Sequence, residues 1–506
     1  MGARPIRLSD LEPLVRDAQS FHVSITASAR DRIRRSRRAV ERHLEAGDTV
    51  YGVTTGFGRL AKVRVETKDL KQLQRNLLLS HACGVGEPLS ELETRVALLL
   101  RIHTLSQGLS GVRLELVEAL TDLFNAGVIP VVPQQGSVGA SGDLAPLSHL
   151  ALTVIGEGEA FYRGKRMHSA RALRAAGLKP MELHAKEGLA LINGTPIMTA
   201  VGALVALRAR VVSRSADAIA ALSVEALKGS IIPFDARIAK ARTHPGHAKT
   251  AANMRKCLSA SEVIPSHAHC DKVQDPYCLR CIPQVHGASK DLLEFASGVL
   301  EREMNAVTDN PLVFENGDVV SQGNFHGQPV STAMDALGIG IASWGTISER
   351  RIEQLVNPAL SGLPAFLVES SGLNSGFMIP QVVAASLVNE NKVYAHPASV
   401  DTIPTSANQE DHVSMGVTAA RKARTIVGNV EWVLAIEAIA AAQGREFFRE
   451  KRAGRGAEAV YQCIRTRVRP LEQDRYLHPD LVAARDLIAS RAIESQVTKA
   501  TGELEV

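Results

Sequence analysis

Residues 140–142 read Ala-Ser-Gly, inside the stretch GSVGASGDLAPLSH that runs from 136 to 149. That triplet can react with itself. Attack of the Gly142 amide nitrogen on the Ala140 carbonyl carbon closes a five-membered ring and releases water. Loss of the Ser141 β-hydroxyl then leaves an exocyclic carbon–carbon double bond. The product, a 4-methylidene-imidazol-5-one, is a strong electrophile made from the chain alone. Glycine at 142 lets the backbone bend to the attack angle, helped by Gly136 and Gly139. Serine supplies the leaving hydroxyl, and alanine stays out of the way. The plainer alternative is a helix cap: Ser141 or Asp143 could cap a helix over 144–156, with Pro146 in its first turn. The two readings are compatible, because a helix starting there aims its positive end at the ring.

A second cluster suggests metal. HAHC (267–270) and CLRC (278–281) place His267, His269, Cys270, Cys278 and Cys281 close together in sequence, and Cys-x-x-Cys near histidine can bind zinc. No second knuckle follows at a usual spacing, so no metal is expected.

The elements that must position the triplet can be read from pattern. Residues 27–46, 66–82, 90–107 and 112–126 carry apolar residues at helical spacing and end at glycine or a turn. Prolines and glycines make 128–142 irregular. Hairpins are predicted around 159–168 and 312–321, the latter turning at Asn316-Gly317. Residues 197–227, 330–356 and 413–443 are proline-free and rich in Ala, Val and Ile. The first would be about 46 Å long as a helix. Such helices, apolar nearly all round, predict a bundle core buried on several sides, by other subunits. The fold class is therefore mainly α, a long-helix bundle with a mixed N-terminal part, divided as 1–196 and 197–506.

The 506 residues are 45% hydrophobic, 22% charged and 4% aromatic, with a net charge of +5. That balance argues against a nucleic-acid surface or a polybasic anchor. The N-terminus has no apolar leader segment, and Ile6 stands where a myristoylation signal needs Ser or Thr. The longest apolar run, 197–207, meets Arg208 too soon to span a bilayer. Six cysteines in this length predict free thiols and a cytoplasmic location.

The triplet's full context, with YGVTTGFG (51–58), NLLLSHACGVG (76–86), KEGLALINGT (186–195), VQDPYCLRCIPQVHGA (273–288), TDNPLVF (308–314), GNFHG (323–327) and SANQEDHVSMG (406–416), resembles the aromatic amino acid lyase family over about residues 5–500. The resemblance implies the autocatalytic ring from Ala140, Ser141 and Gly142. It implies a bundle of the aspartase/fumarase-like type, assembled as a homotetramer whose sites mix residues of three subunits. The reaction it implies removes ammonia and a β-hydrogen from an amino acid.

Tyr51 is the candidate base for that hydrogen. A tyrosine hydroxyl ordinarily titrates at about 10, so it needs a positive surrounding such as helix N-termini or Arg280. The resemblance places Arg280 on the substrate carboxylate, which a guanidinium can grip with two bonds. It places Tyr277 and Gln274 near the ring and the amine, Asn193 on the ring or the carboxylate, and Phe325 packed near the ring. Asn310, before Pro311, reads as structural.

His81 and Glu410 bear on the substrate. A carboxylate at 410 can accept an imidazole N–H while His81 bonds the other nitrogen. Phenylalanine-directed members carry an apolar residue at the first position and usually Gln at the second. The pair favours L-histidine, with urocanate as product and histidine breakdown as the pathway. His81 alone also fits a tyrosine phenol, and Glu410 is an alternative base. Unremarkable readings stand beside these: a turn tyrosine at 51, a turn asparagine before Gly194, a core Phe325, a surface Arg280, and a capping-segment acid at 410. Cys278 in place of a serine, His286 in place of an apolar residue and Pro196 after NGT depart from the family pattern. Competing functions are a tyrosine or phenylalanine ammonia-lyase, an aminomutase with the same ring, and an inactive zinc-stabilised scaffold.

Overall fold

The structure is a computed structural model that describes residues 1–2, 4–17, 21–56, 58, 62–268, 270 and 272–506. It is mainly helical, and its small sheets lie in the first half of the chain and at 312–320. The chain forms two compact units, each built from three separate segments. The first holds 1–204, 297–335 and 397–421; the second holds 205–296, 336–396 and 422–506.

The first unit carries the reactive loop. The helix Ala27–Ala46 starts at Thr26, whose hydroxyl accepts from the Ala29 amide, and stops at Gly47 with φ +71°, a left-handed cap that glycine takes without strain. Its buried face, Ala39 and Val40, packs with Val53, Leu70, Ala185 and Val313. Leu70–His81 follows a short 3-10 turn over Thr67–Asp69. Glu91–Ser106 begins in a reciprocal box, the Ser90 hydroxyl on the Glu93 amide and the Glu93 carboxylate on the Ser90 amide. Leu114–Asn125 completes the predicted four.

Two local expectations need correction. Residues 128–142 are not wholly irregular, because Ile129–Pro130 and Pro133–Gln135 pair as short strands, the first with the hairpin Glu159–Tyr162/Lys165–His168. The 312–321 hairpin is wider than a two-residue turn: Val313 pairs with Val319, leaving five residues between, and Gly317 sits at φ +104° inside that loop.

The long helices are Pro196–Ala226, Gln328–Val356 and Gly416–Glu446. In Pro196–Ala226 every residue is buried except Arg208, Arg210 and Arg214, which are partly exposed. Its all-round apolar character is thus satisfied within one chain and does not call for other subunits. Arg208 also fails as a membrane argument. By length and composition both Pro196–Ala226 and Gly416–Glu446 could cross a bilayer, but their most apolar windows are 89% and 78% buried inside the protein, as in core helices.

Within the second unit the three helices are tied by one carboxylate. Glu437 accepts from Ser223 Oγ at 2.6 Å, Ser348 Oγ at 2.6 Å and Arg351 Nη2 at 2.8 Å. Each side chain of the Arg351–Glu437 pair is fully buried. A charge so deep is tolerable only with this degree of pairing.

Candidate active site

The loop around 140–142 is held on several sides within the first unit. The Val138 carbonyl accepts from the amides of Ser414 and Met415, at 3.1 and 2.8 Å, and the Gly139 carbonyl accepts from the Gly327 amide at 3.1 Å. Gly142 lies beside Gly194 in a parallel bridge, and the Asp143 amide donates to the Gly194 carbonyl at 2.7 Å. A Cβ on Gly142 would stand 2.0 Å from that carbonyl oxygen, and φ is +73°. Both facts require glycine.

Ser141 is gripped at both ends. Its carbonyl oxygen accepts from Asn193 Nδ2 at 2.8 Å and from the Gly194 amide at 3.4 Å. Its hydroxyl donates to Glu410 Oε1 at 2.6 Å. Ser141 is therefore not a helix cap. Asp143 precedes the helix Leu144–Leu152 but does not cap it either. Its carboxylate turns to another helix: Oδ2 accepts from the Ile197 and Met198 amides at 2.9 and 3.0 Å, and Oδ1 from Ser137 Oγ at 3.0 Å. Burial pushes the Asp143 carboxyl up to about 7, against these donors and the charge of Arg101. Pro196, which lacks an amide proton, occupies the one position at that helix start that needs no acceptor.

Arg101 was missed by pattern reading. Fully buried, it donates to the carbonyls of Ala190 at 3.1 Å and Asn193 at 3.0 Å, fixing the turn that presents the Asn193 side chain. Burial draws its pKa down to about 10, against the pull of Asp309 and Asp143. The available signal was an arginine between the leucines and the isoleucine of LLLRI at 98–102. Lys186 and Asp309, each fully buried, pair at 2.7 Å in the same unit.

A cavity of about 450 Å³ opens over Ser141. Six of the residues singled out from sequence line it: Tyr51, His81, Ser141, Asn193, Phe325 and Glu410. Asn310 lines it too, while its Oδ1 accepts from the Gln322 amide at 2.9 Å. Asn193 is more than a turn residue, since its Oδ1 is buried without a partner among the described residues. Glu410 is not at a helix start. It closes a small loop through paired backbone bonds with Thr405, whose hydroxyl donates to Glu410 Oε2 at 2.7 Å. Tyr51 Oη accepts from the Gly58 amide at 3.4 Å. Burial pulls the His81 imidazole below its ordinary value, opposed by the Leu77 carbonyl and the Glu410 charge.

Gln274, Tyr277 and Arg280 do not line this cavity; they belong to the second unit. Tyr277 is 69% exposed, the Arg280 guanidinium lies 4.5 Å from its ring centroid, and Arg280 Nε is buried without a partner among the described residues. Gln274 lines a different cavity, with His267 and Cys270. Of the metal alternative's residues, His269 lies outside the described ones. Both ring nitrogens of His267 face carbonyl oxygens, of Val263 at 2.8 Å and Gly229 at 3.2 Å. Burial pushes the Cys278 thiol up to about 11. No cluster of three metal-binding side chains occurs among the described residues.

The Ser141-Gly142 turn, lying beneath a cavity that holds Tyr51, His81, Asn193 and Glu410, fits a carbon–nitrogen lyase. The chain belongs to the aromatic amino acid lyase family, whose profile matches residues 6–466. It is 53% identical over 481 residues to the histidine ammonia-lyase of Myxococcus xanthus, covering 95% of this chain and 94% of the relative. It is 54% identical over 498 residues to that of Stigmatella aurantiaca, covering 98% and 97%. Among solved structures, the histidine ammonia-lyase of Trypanosoma cruzi superposes with a TM-score of 0.92 at 43% identity, covering 99% and 95% of the two chains. The tyrosine aminomutase of Streptomyces globisporus superposes at 0.94 with 37% identity, covering 100% and 99%.

Proposed function

We infer that this chain is a histidine ammonia-lyase, converting L-histidine to trans-urocanate and ammonia in the first step of histidine breakdown. The observation that carries this reading is His81 and Glu410 lining one cavity with Ser141 and Asn193. Relatives bearing that activity's name match along nearly the whole chain.

The residues present fit the methylidene-imidazolone. Gly142 sits where no side chain is tolerated, and the Ser141 carbonyl oxygen, which becomes the exocyclic oxygen of the imidazolone, already has two donors. When formed, the ring supplies the electrophile that makes ammonia a better leaving group. The remaining work falls to side chains. Glu410 and His81 hold the substrate imidazole and Phe325 packs beside it. Asn193 and Arg280 bind the carboxylate, and Gln274 and Tyr277 lie at the amine. Tyr51 takes the β-proton, a general-base contribution worth about 10²–10⁴ in rate.

The second-unit residues reach the cavity from neighbouring subunits of a homotetramer. Supporting this, Tyr277 is exposed, and the helix Met378–Tyr394 shows an exposed apolar face of Ile379, Val382, Val383 and Val393. Patches of that kind on soluble proteins mark interfaces. A cytoplasmic location agrees with six free cysteines.

Ultraviolet absorbance with L-histidine, L-tyrosine and L-phenylalanine, beside a Ser141→Ala control, tests the reading, because each acrylate product has its own band. Signal with histidine alone, abolished in the control, is expected. Signal with tyrosine instead would move the protein to the lyase or aminomutase alternative, for which His81 also supplies a phenol partner.

A further inference from the structure

We propose that the site binds the substrate side chain as an imidazolium cation, each of its two N–H groups donated to an acceptor, and that Ser80 is the positioning residue that makes His81 one of those acceptors. This rests on the histidine-lyase reading and goes beyond it, to the protonation state that the site selects.

Proton counting at His81 comes first. Ser80 Oγ lies 3.2 Å from the Leu77 carbonyl and 3.0 Å from His81 Nδ1. A hydroxyl has one proton. The carbonyl can only accept, so Ser80 donates to it, the common back-bond of a helical serine. Ser80 then offers only lone pairs to His81, an arrangement that favours the tautomer with its proton on Nδ1. The Leu77 carbonyl acts on the imidazole in the same sense, while burial disfavours the ring's charged form. A neutral ring protonated at Nδ1 has a bare Nε2. Nε2 has no hydrogen-bond partner among the described residues, and His81 lines the cavity.

Glu410 offers the second acceptor. Thr405 donates to Oε2, leaving Oε1 for Ser141, whose hydroxyl departs when the ring forms. Oε1 is then released to the cavity. The carboxylate stays in place because residues 405 and 410 are paired through their backbones across Ser406, Ala407 and Asn408, at φ +54°, +52° and +64°. Tyr51 is the remaining titratable group lining this cavity, and Lys62, His326, Asp411 and His412 line the adjoining one that Glu410 also borders.

A neutral imidazole has one donor and one acceptor, so two protein acceptors would leave a lone pair facing a lone pair. An imidazolium satisfies both, and the Glu410 charge balances its own. A positive ring also withdraws electrons from the β-carbon, easing removal of its proton.

The test uses the full-length Ser141→Ala protein, which cannot turn over, and L-histidine labelled with nitrogen-15 at both ring positions. Spectra are recorded at about pH 8, well above the free imidazole value of about 6.5. Both bound nitrogens are expected to carry protons, which at that pH requires the ring to hold its proton about 300-fold more tightly than free histidine, a shift of about 2.5 pKa units. One protonated and one bare nitrogen would overturn the proposal while leaving the lyase reading intact. Absence of any bound signal would overturn the histidine reading and the proposal with it. Ser80→Ala, in the same background, should weaken the bound ring's proton affinity, and Ser80→Thr should restore it. An unchanged titration in Ser80→Ala would overturn the role of Ser80.

Discussion

Replacing Asp143 with asparagine isolates the cost of keeping a charge beneath the reactive loop. The Asp143 carboxyl is fully buried and pushed up to about 7 from 3.8, chiefly by burial. A carboxyl raised in the folded state binds its proton more tightly there than in the unfolded chain. Its stabilising contribution is complete below about pH 4, declines as pH rises through about 7, and is constant above. Roughly three pKa units correspond to about 4 kcal/mol across that window. Asp143→Asn keeps an oxygen for the Ile197 and Met198 amides but has no proton to lose. The variant should therefore gain on wild type by up to about 4 kcal/mol between pH 4 and pH 7. Thermal unfolding at fixed protein concentration across that range is the assay. Curves that stay parallel, within about 1 kcal/mol, would refute the assignment of a raised carboxyl to this position. Asp143→Ala removes every acceptor and orphans two amides at the start of a 31-residue helix. It should be less stable than the asparagine variant at all pH values, by about 1–3 kcal/mol.

Three further outcomes follow from the same geometry. Gly142→Ala places a Cβ 2.0 Å from the Gly194 carbonyl oxygen, so intact mass should lack the loss of two waters expected of the mature wild type. Lys186→Met strands the buried Asp309 charge and should lower stability by about 3–5 kcal/mol, and Lys186→Met/Asp309→Leu should recover most of it, both read by thermal unfolding. Tyr51→Phe should lower kcat by about 10²–10⁴ with KM within a few-fold, whereas a Tyr51 acting only in binding would raise KM instead.

Elements with a local cause were legible in the sequence. Ala27–Ala46 has apolar spacing, a threonine cap and a glycine stop, all within its own stretch. The triplet's chemistry was legible because three adjacent residues carry it. What was not legible depends on partners distant in sequence. Asp143 reads as the cap of the helix that follows it, yet it caps one that begins more than fifty residues later. The acid of SANQEDH reads as a capping residue, yet it bonds a hydroxyl 269 positions away. Arg101 carries no motif, because its ligands are backbone carbonyls that any sequence supplies. Burial misled in the other direction: an all-round apolar helix calls for cover on every side, and periodicity cannot tell whether the same chain or another provides it.

Glu410 joins the making of the site to its use. Before the ring exists, its Oε1 accepts from the Ser141 hydroxyl at 2.6 Å, and substrate must compete with that hydroxyl there. With the imidazole held by Glu410 as proposed, ring formation removes that hydroxyl, so the event that creates the electrophile also frees the carboxylate. Thr405 holds the other oxygen throughout. An immature chain would then be poor in chemistry and also poor in histidine binding. Mature wild type and a serine-retaining, ring-less protein should thus differ in affinity for imidazole itself, which cannot react. Ser141→Ala, which lacks both hydroxyl and ring, should bind it more like the mature enzyme. Equal imidazole affinity in the ring-less serine protein and the mature one, by calorimetry, would separate the two events and leave Glu410 with only its later role.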